Sequence, residues 1–459
     1  MPDIQGKNLV KDLTNSSIAK NILYMALPIA AGMIFQTLYF LIDLYFVGGL
    51  GAAALAGVSA AGNVTMIVLA VTQVLGVGTV TLISHAAGRK DQTDATLVFN
   101  QSLVMSASFG LLVLLLGYTV TPYYMGALGS DRATVAAGIS YLHWYLPALG
   151  LQFAVVAMGS ALRGTGIVQP TMLVQVLTVI LNAVLAPVLI AGWGTRYPLG
   201  VAGAGLASSL SLAVGTVMLG LYFHRLEKYV GFNAKLWRPQ FATWRRLLRI
   251  GLPAGGEFVL MFVIMAVIYR IIRPFGEDAQ AGFGIGTRMM QSMFLPAMAV
   301  AFATAPIVGQ NYAAGKYRRV RETFGLGVLI GSCIMVCLTI FCQWGSEWVV
   351  GVFTKDAGAV AVGAEYLRVI SWNFVATGFV FTCSSVFQGL GNTIPAVLSS
   401  ASRVVTFVVP SLWLASTPHL QLVQLWYVSI CSVTLQAIFS FWLVRRELRL
   451  RLPLAAATA

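Results

Sequence analysis

Apolar runs alternate with short polar stretches along the whole chain. Twelve runs reach the roughly 20 residues that a helix needs to cross hydrocarbon. They lie at about 20–46, 54–84, 96–120, 137–161, 169–193, 199–223, 246–272, 281–310, 323–345, 361–388, 395–416 and 423–444. Lipid offers no partners to backbone N–H and C=O groups, so runs this long and apolar predict helices. The pattern predicts an all-α integral membrane protein with twelve transmembrane helices. Residues 1–19 are polar, with scattered lysines, and predict a cytoplasmic segment, either a short interfacial helix or a tail. The first apolar run is too long for the core of a signal peptide.

The second half repeats the first. At one constant offset, Ala26-Leu27-Pro28 meets Gly251-Leu252-Pro253, Ala56-Gly57 meets Ala281-Gly282, and Tyr141-Leu142 meets Tyr366-Leu367. RGTGIVQP (163–170) meets QGLGNTIP (388–395), with glycines and proline in register. Ala86-Ala87-Gly88 meets Ala313-Ala314-Gly315 at a slightly larger offset, so a two-residue indel lies between. Ordered matches at nearly one offset predict duplication. Six spans per repeat preserve orientation, giving two parallel six-helix lobes, an arrangement of transporters that rock around a central site. The expected division is an N-lobe at 20–223, a basic cytoplasmic linker at 224–245, a C-lobe at 246–444 and a cytoplasmic tail at 445–459. The linker region reads as amphipathic and is expected on the membrane surface.

Charge fixes an expected orientation. Only 10% of residues are charged, against a formal net charge of +14. With the N-terminus inside, 21 lysines and arginines fall on the cytoplasmic side and four (Arg132, Arg196, Arg273, Lys355) on the other. This positive-inside bias predicts two cytoplasmic termini. The basic residues sit in short loops beside spans, which suits anionic lipid and gives no support to nucleic-acid binding. All five cysteines lie in apolar runs without a metal-site spacing and are expected as small core residues. No Walker, HExxH or suitably placed GxSxG motif is present, so an enzyme is not expected.

Few acids interrupt the spans, and such groups are functional candidates. Asp43 sits in YFLIDLYFVGG (39–49). Tyr39 and Gln36 share its helix face at spacings of four and seven. On the fifth span Gln175 and Asn182 also share a face, and the two faces together would enclose a polar pocket. An apolar setting disfavours ionised carboxylate and hydrogen bonds favour it, so such a group can load and release a proton. Glu257, read as one turn into the seventh helix, is expected to pair with Arg288 as a structural pair or gate. Arg403 has no evident partner; neutralising Glu257, facing a central cavity and binding an anionic group of a substrate all stay open. Pro28 is a candidate hinge, since proline breaks a helical hydrogen bond. Met261, Trp372, Asn373 and Thr377 are candidate lining residues of a substrate cavity.

The ALP opening with Asp43, the loop GQNYAAGKYRRVRE (309–322), ALRGTGIVQP (161–170) with its second-half echo, and the 6+6 layout resemble the multidrug and toxic compound extrusion family over nearly the whole chain. The resemblance implies a bacterial inner-membrane antiporter, monomeric, exporting organic compounds in exchange for H⁺ or Na⁺, without a cofactor. In one branch the ion site is an aspartate on the first helix, an Asn and an Asp on the fifth, and a Thr on the sixth. Here Asp43 and Asn182 match, Ala186 replaces the second aspartate, and Ser208 stands in the threonine position. The acids of another branch align with Met261 and Thr377. A single titratable carboxylate suits H⁺ more than Na⁺. Small amphipathic cations are the expected substrates; a lipid or lipid-linked saccharide flippase, and outside transport a channel or receptor, are the other readings.

Overall fold

The structure, a computed structural model, describes residues 12–128, 131–194, 196–417 and 420–452. The expected interfacial helix or tail lies largely outside the described residues, as do Lys7, Lys11 and all of the tail after residue 452. Among the described residues, twelve spans are long and apolar enough to cross a membrane. They are α1 (Ile18–Gly48), α2 (Ala52–Gly88), α3 (Gln92–Leu128), α4 (Arg132–Gly164), α5 (Gln169–Ala191), α6 (Val201–Arg225), α7 (Phe241–Ile272), α8 (Glu277–Ala313) and α9 (Tyr317–Gly351), a tenth made of α10 (Ala357–Ile370) and α11 (Phe374–Gly389), then α12 (Ile394–Ala415) and α13 (Leu422–Arg451).

The duplication is visible in small devices. Asp131 caps α4 by accepting from Thr134 N, and its repeat counterpart Asp356 caps α10 by accepting from Gly358 N and Ala359 N. Pro170 and Pro395 occupy the first turns of α5 and α12. A Cβ on Gly57 would lie 2.8 Å from Gly138 N, and one on Gly282 would lie 2.9 Å from Gly363 N. Glycine thus lets α2 meet α4, and α8 meet α10, backbone to backbone. Pro147 lies inside α4, and its counterpart position in the tenth span is the short turn Ser371–Asn373. No proline is needed there, because Thr339 donates to Ser371 O and Gln343 donates to Arg368 O.

Packing divides the chain into two compact units, one of residues 31–251, the other of residues 13–30 and 252 onward. This differs from a division at 20–223 and 246–444. The first turns of α1 go with the second unit and those of α7 with the first. The chain before each helix explains why. In the second unit, Gln310 accepts from Leu13 N, Asn311 donates to Leu13 O, and Lys316 and Arg319 hold Thr14 and Ser16. In the first unit, residues 226–240 are not an amphipathic surface helix. They form an irregular strap with one short turn at Ala234–Leu236, and WRRLLR (244–249) is the continuous start of α7. Asn100 donates to Gly231 O and accepts from Asn233 N and Trp237 Nε1. Gln101 donates to Leu236 O and Arg238 O and accepts from Gln240 N. Linker backbone thus finds buried partners that an apolar bundle does not otherwise supply.

Cys342 and Cys383 are buried as expected, whereas Cys333, Cys337 and Cys431 are exposed. An apolar outer surface is stable in lipid, so hydrophobicity alone does not distinguish core from perimeter there.

Asn100→Ala removes three long-range bonds of the strap. It should lower the unfolding free energy by about 1–3 kcal/mol, read as an earlier thermal transition in detergent and faster proteolysis within 226–240. An unchanged transition would show that the strap adds no stability.

Candidate ion-coupling site

Asp43 lies near the end of α1, five residues before Gly48. Its side chain enters the first unit and is only 7% exposed. Ser208, on α6, donates through Oγ to Asp43 Oδ2 at 2.9 Å. Asn182, on α5 and fully buried, donates through Nδ2 to Ser208 Oγ at 3.4 Å. The bonds therefore run in one direction, from amide to hydroxyl to carboxylate. Tyr39, part-exposed one turn before Asp43, stands beside Ser208 and Asn182. Asp43, Asn182, Ser208 and Tyr39 thus come together as the sequence predicts.

Two acceptors in this pocket are left over. Asp43 Oδ1 and Asn182 Oδ1 are buried without hydrogen-bond partners among the described residues. An ionised oxygen in that state is costly. A proton on the carboxyl group removes the charge and converts one oxygen into a donor. Ala186 is fully buried, packed with Val47, Tyr141, Leu142 and Ile190. The position where the resemblance expects a second carboxylate is therefore part of an apolar wall. Tyr141 and Tyr145 stack at 5.0 Å and flank the pocket. In the sequence Tyr141 stands out only as a repeat landmark, and that repeated position was the available signal for it.

The repeat does not duplicate the site. The repeat counterparts of Tyr39, Asp43, Asn182 and Ser208 are Ile264, Ile268, Phe407 and Val433, each at most 8% exposed. Three of them belong to the main apolar cluster of the second unit.

Other expectations are corrected. Gln36 is exposed, away from the buried pocket two turns further on, and Gln175 lies against Gly32. Glu257 is mid-helix, because α7 begins at Phe241, and it accepts from Ser384 Oγ at 3.1 and 3.2 Å. It does not pair with Arg288, which is exposed, and no ion pair among the described residues includes either. Arg288 lies on an exposed face of α8, so it needs no buried partner. Arg403 also lacks an ion pair and does not neutralise Glu257. Asn373 is 3% exposed and donates to Ser429, so it is internal to the second unit and not an open cavity wall. Met261 and Trp372 are 45% and 65% exposed, and Thr377 is part-exposed. Pro28 lies inside α1, just before the point where its residues pass from one unit to the other.

Ser208→Ala removes the donor to Asp43 and the acceptor of Asn182. It should destabilise the protein by about 1–3 kcal/mol. Ser208 and Asp43 should also couple, so the loss shrinks in an Asp43→Asn background. Thermal unfolding of the four proteins measures this, and additive effects would contradict the bonded chain.

The MatE family model matches residues 28–188 and again 253–413, and the second match is displaced from the first by the repeat offset at both ends. The multidrug export protein MepA of Staphylococcus aureus (strain NCTC 8325 / PS 47) is 26% identical over 404 residues, covering 87% of this chain and 88% of the relative. MepA of Staphylococcus haemolyticus (strain JCSC1435) is 27% identical over 407 residues, with the same coverage. Among solved structures, a MATE transporter in a bent conformation is 25% identical, with a TM-score of 0.89, covering 96% of this chain and 97% of that one. A MOP superfamily transporter from Pyrococcus furiosus Vc1 (DSM3638) shares the fold at 24% identity, with a TM-score of 0.90, covering 98% and 99%. With both halves matched by the family, and relatives that are multidrug exporters aligned along most of its length, this chain belongs to the MATE family of multidrug efflux transporters.

Proposed function

We propose that this transporter exports amphipathic organic cations in exchange for H⁺, with Asp43 as the proton carrier. One observation carries the reading: the buried Asp43 carboxylate has one oxygen bonded to Ser208 and the other without a partner among the described residues. Charged, Asp43 favours an arrangement that admits water or a cation. Protonated, it is neutral and tolerates an apolar, closed one. Proton binding thus acts through its different free energy in the two arrangements. Asn182, Ser208 and Tyr39 hold the carboxylate and set how readily it charges. Na⁺ would use several hard oxygens, and Ala186 withholds the second carboxylate from the site.

Pro28 is the proposed hinge of α1. It lies where helix residues packed with the second unit give way to residues packed with the first. Proline removes one backbone hydrogen bond there, so bending costs less than elsewhere in the helix. The basic loops face the cytoplasm of a bacterial inner membrane, following the positive-inside bias, and the protein acts as a monomer.

The test uses proteoliposomes containing wild type or Asp43→Asn, a fluorescent organic cation, and an imposed pH gradient with and without Na⁺. Wild type should move dye only with the pH gradient, regardless of Na⁺, and Asp43→Asn should lose at least about 90% of that rate. Full activity in Asp43→Asn, or dependence on Na⁺ alone, would contradict the proposal.

A further inference from the structure

The coupling reading leaves Arg403, a charge within a span, unused. Arg403 lies on α12 in the stripe Ser399, Arg403, Phe407, Ser411, spaced by four residues. The other three are at most 2% exposed, so this stripe turns toward the inside of the second unit, and Arg403 itself is part-exposed. Arg403 forms no ion pair among the described residues, and its Nε–H is buried without an acceptor. Glu257 is bonded to Ser384 instead. On the neighbouring helix α13, Ser432 Oγ donates to Arg403 O at 3.3 Å and meets Thr406 Oγ1 at 3.1 Å, fixing the two helices side by side.

Beside Tyr366, a neighbour of Arg403, the second unit holds another donor without an acceptor among the described residues. The Tyr366 hydroxyl is within electrostatic reach of the guanidinium. The Trp426 ring meets Tyr366 edge-on at 4.7 Å, and its Nε1–H is buried without an acceptor. A guanidinium without a counter-charge inside a span is expensive, and its unmade Nε–H bond adds to the cost.

The repeat sharpens the contrast. Tyr366 is the counterpart of Tyr141, the tyrosine close to Asp43. Arg403 is the counterpart of Thr178, one turn from Asn182. The interior of one unit thus carries a carboxylate with unused acceptors, and the other a guanidinium with an unused donor.

We infer that Arg403 binds a monovalent anion, a carboxylate or a halide, in the interior of the second unit. The anion comes either free from solution or as the carboxylate of a zwitterionic transported compound. The inference goes beyond proton coupling at Asp43 and does not depend on it.

Purified wild type, Arg403→Gln and Arg403→Lys are compared in detergent. In the first arm, thermal unfolding is followed in chloride, acetate or isethionate, a sulfonate, at equal ionic strength. In the second, fluorescence anisotropy measures binding of a rhodamine with a free carboxylate and of its methyl ester. A free anion would raise the wild-type midpoint in chloride or acetate above that in isethionate; Arg403→Gln abolishes the shift and Arg403→Lys keeps most of it. A substrate carboxylate would show as a preference for the free acid that falls about tenfold or more in Arg403→Gln. Wild type alone also decides: no anion-dependent shift and no preference for the free acid overturn the inference, as do equal responses in wild type and Arg403→Gln. The thermal arm needs no transported compound, so it reads Arg403 even if dye export fails.

Discussion

The hydrogen bond from Ser208 to Asp43 is the constraint around which the first unit is organised. It brings together α1 and α6, and Asn182 adds α5 through the same hydroxyl. An aspartate in an otherwise apolar helix is tolerable only when part of its lost hydration is replaced. Here one oxygen is served and the other is not. Full satisfaction would make the carboxylate permanently charged and structural. The partial arrangement leaves one carboxylate oxygen without a bond, and the proposed proton coupling rests on that oxygen.

The duplicated scaffold is used asymmetrically. Caps, prolines and glycine contacts recur at the same spacing in both halves, so the architecture is symmetric where it concerns helix ends and close packing. The chemistry is not. Aliphatic and aromatic residues fill the second unit where Asp43, Asn182 and Ser208 stand in the first. The straps add a further constraint. The segment before α1 is bonded within the second unit and the segment before α7 within the first, so each of these helices begins with one unit and ends with the other. Pro28 and Pro253 lie close to those crossings, where a helix that serves both units gains most from a missing hydrogen bond.

Much of this was legible in the sequence. Hydropathy places the spans because lipid permits little else than helices of spanning length. The repeat register holds because it rests on glycines and prolines whose backbone roles admit few substitutes. Asp43 and Asn182 are legible because helix spacing and the family pattern agree, and Ser208 from the family pattern alone. The differences have physical causes. The charges of WRRLLR suit a membrane surface, yet the segment extends α7 and moves Glu257 to mid-helix. Gln36 shares a helix face with Asp43, but a helix this long changes neighbours along its length. The straps are not legible, because side-chain bonds to irregular backbone leave no periodic trace. Three cysteines expected in the core are exposed, because a lipid-facing surface is as apolar as an interior.

The central claim is that one proton resides on Asp43 and leaves as the transported cation binds. Its most direct measurement is proton release by purified protein in weakly buffered detergent, followed with a pH indicator on adding a lipophilic organic cation. Linkage requires that a cation favouring the charged carboxylate lowers proton affinity. Wild type should release about one proton per transporter at saturation, and Asp43→Asn none. Equal release from both proteins, or cation binding by wild type without release, would contradict the account.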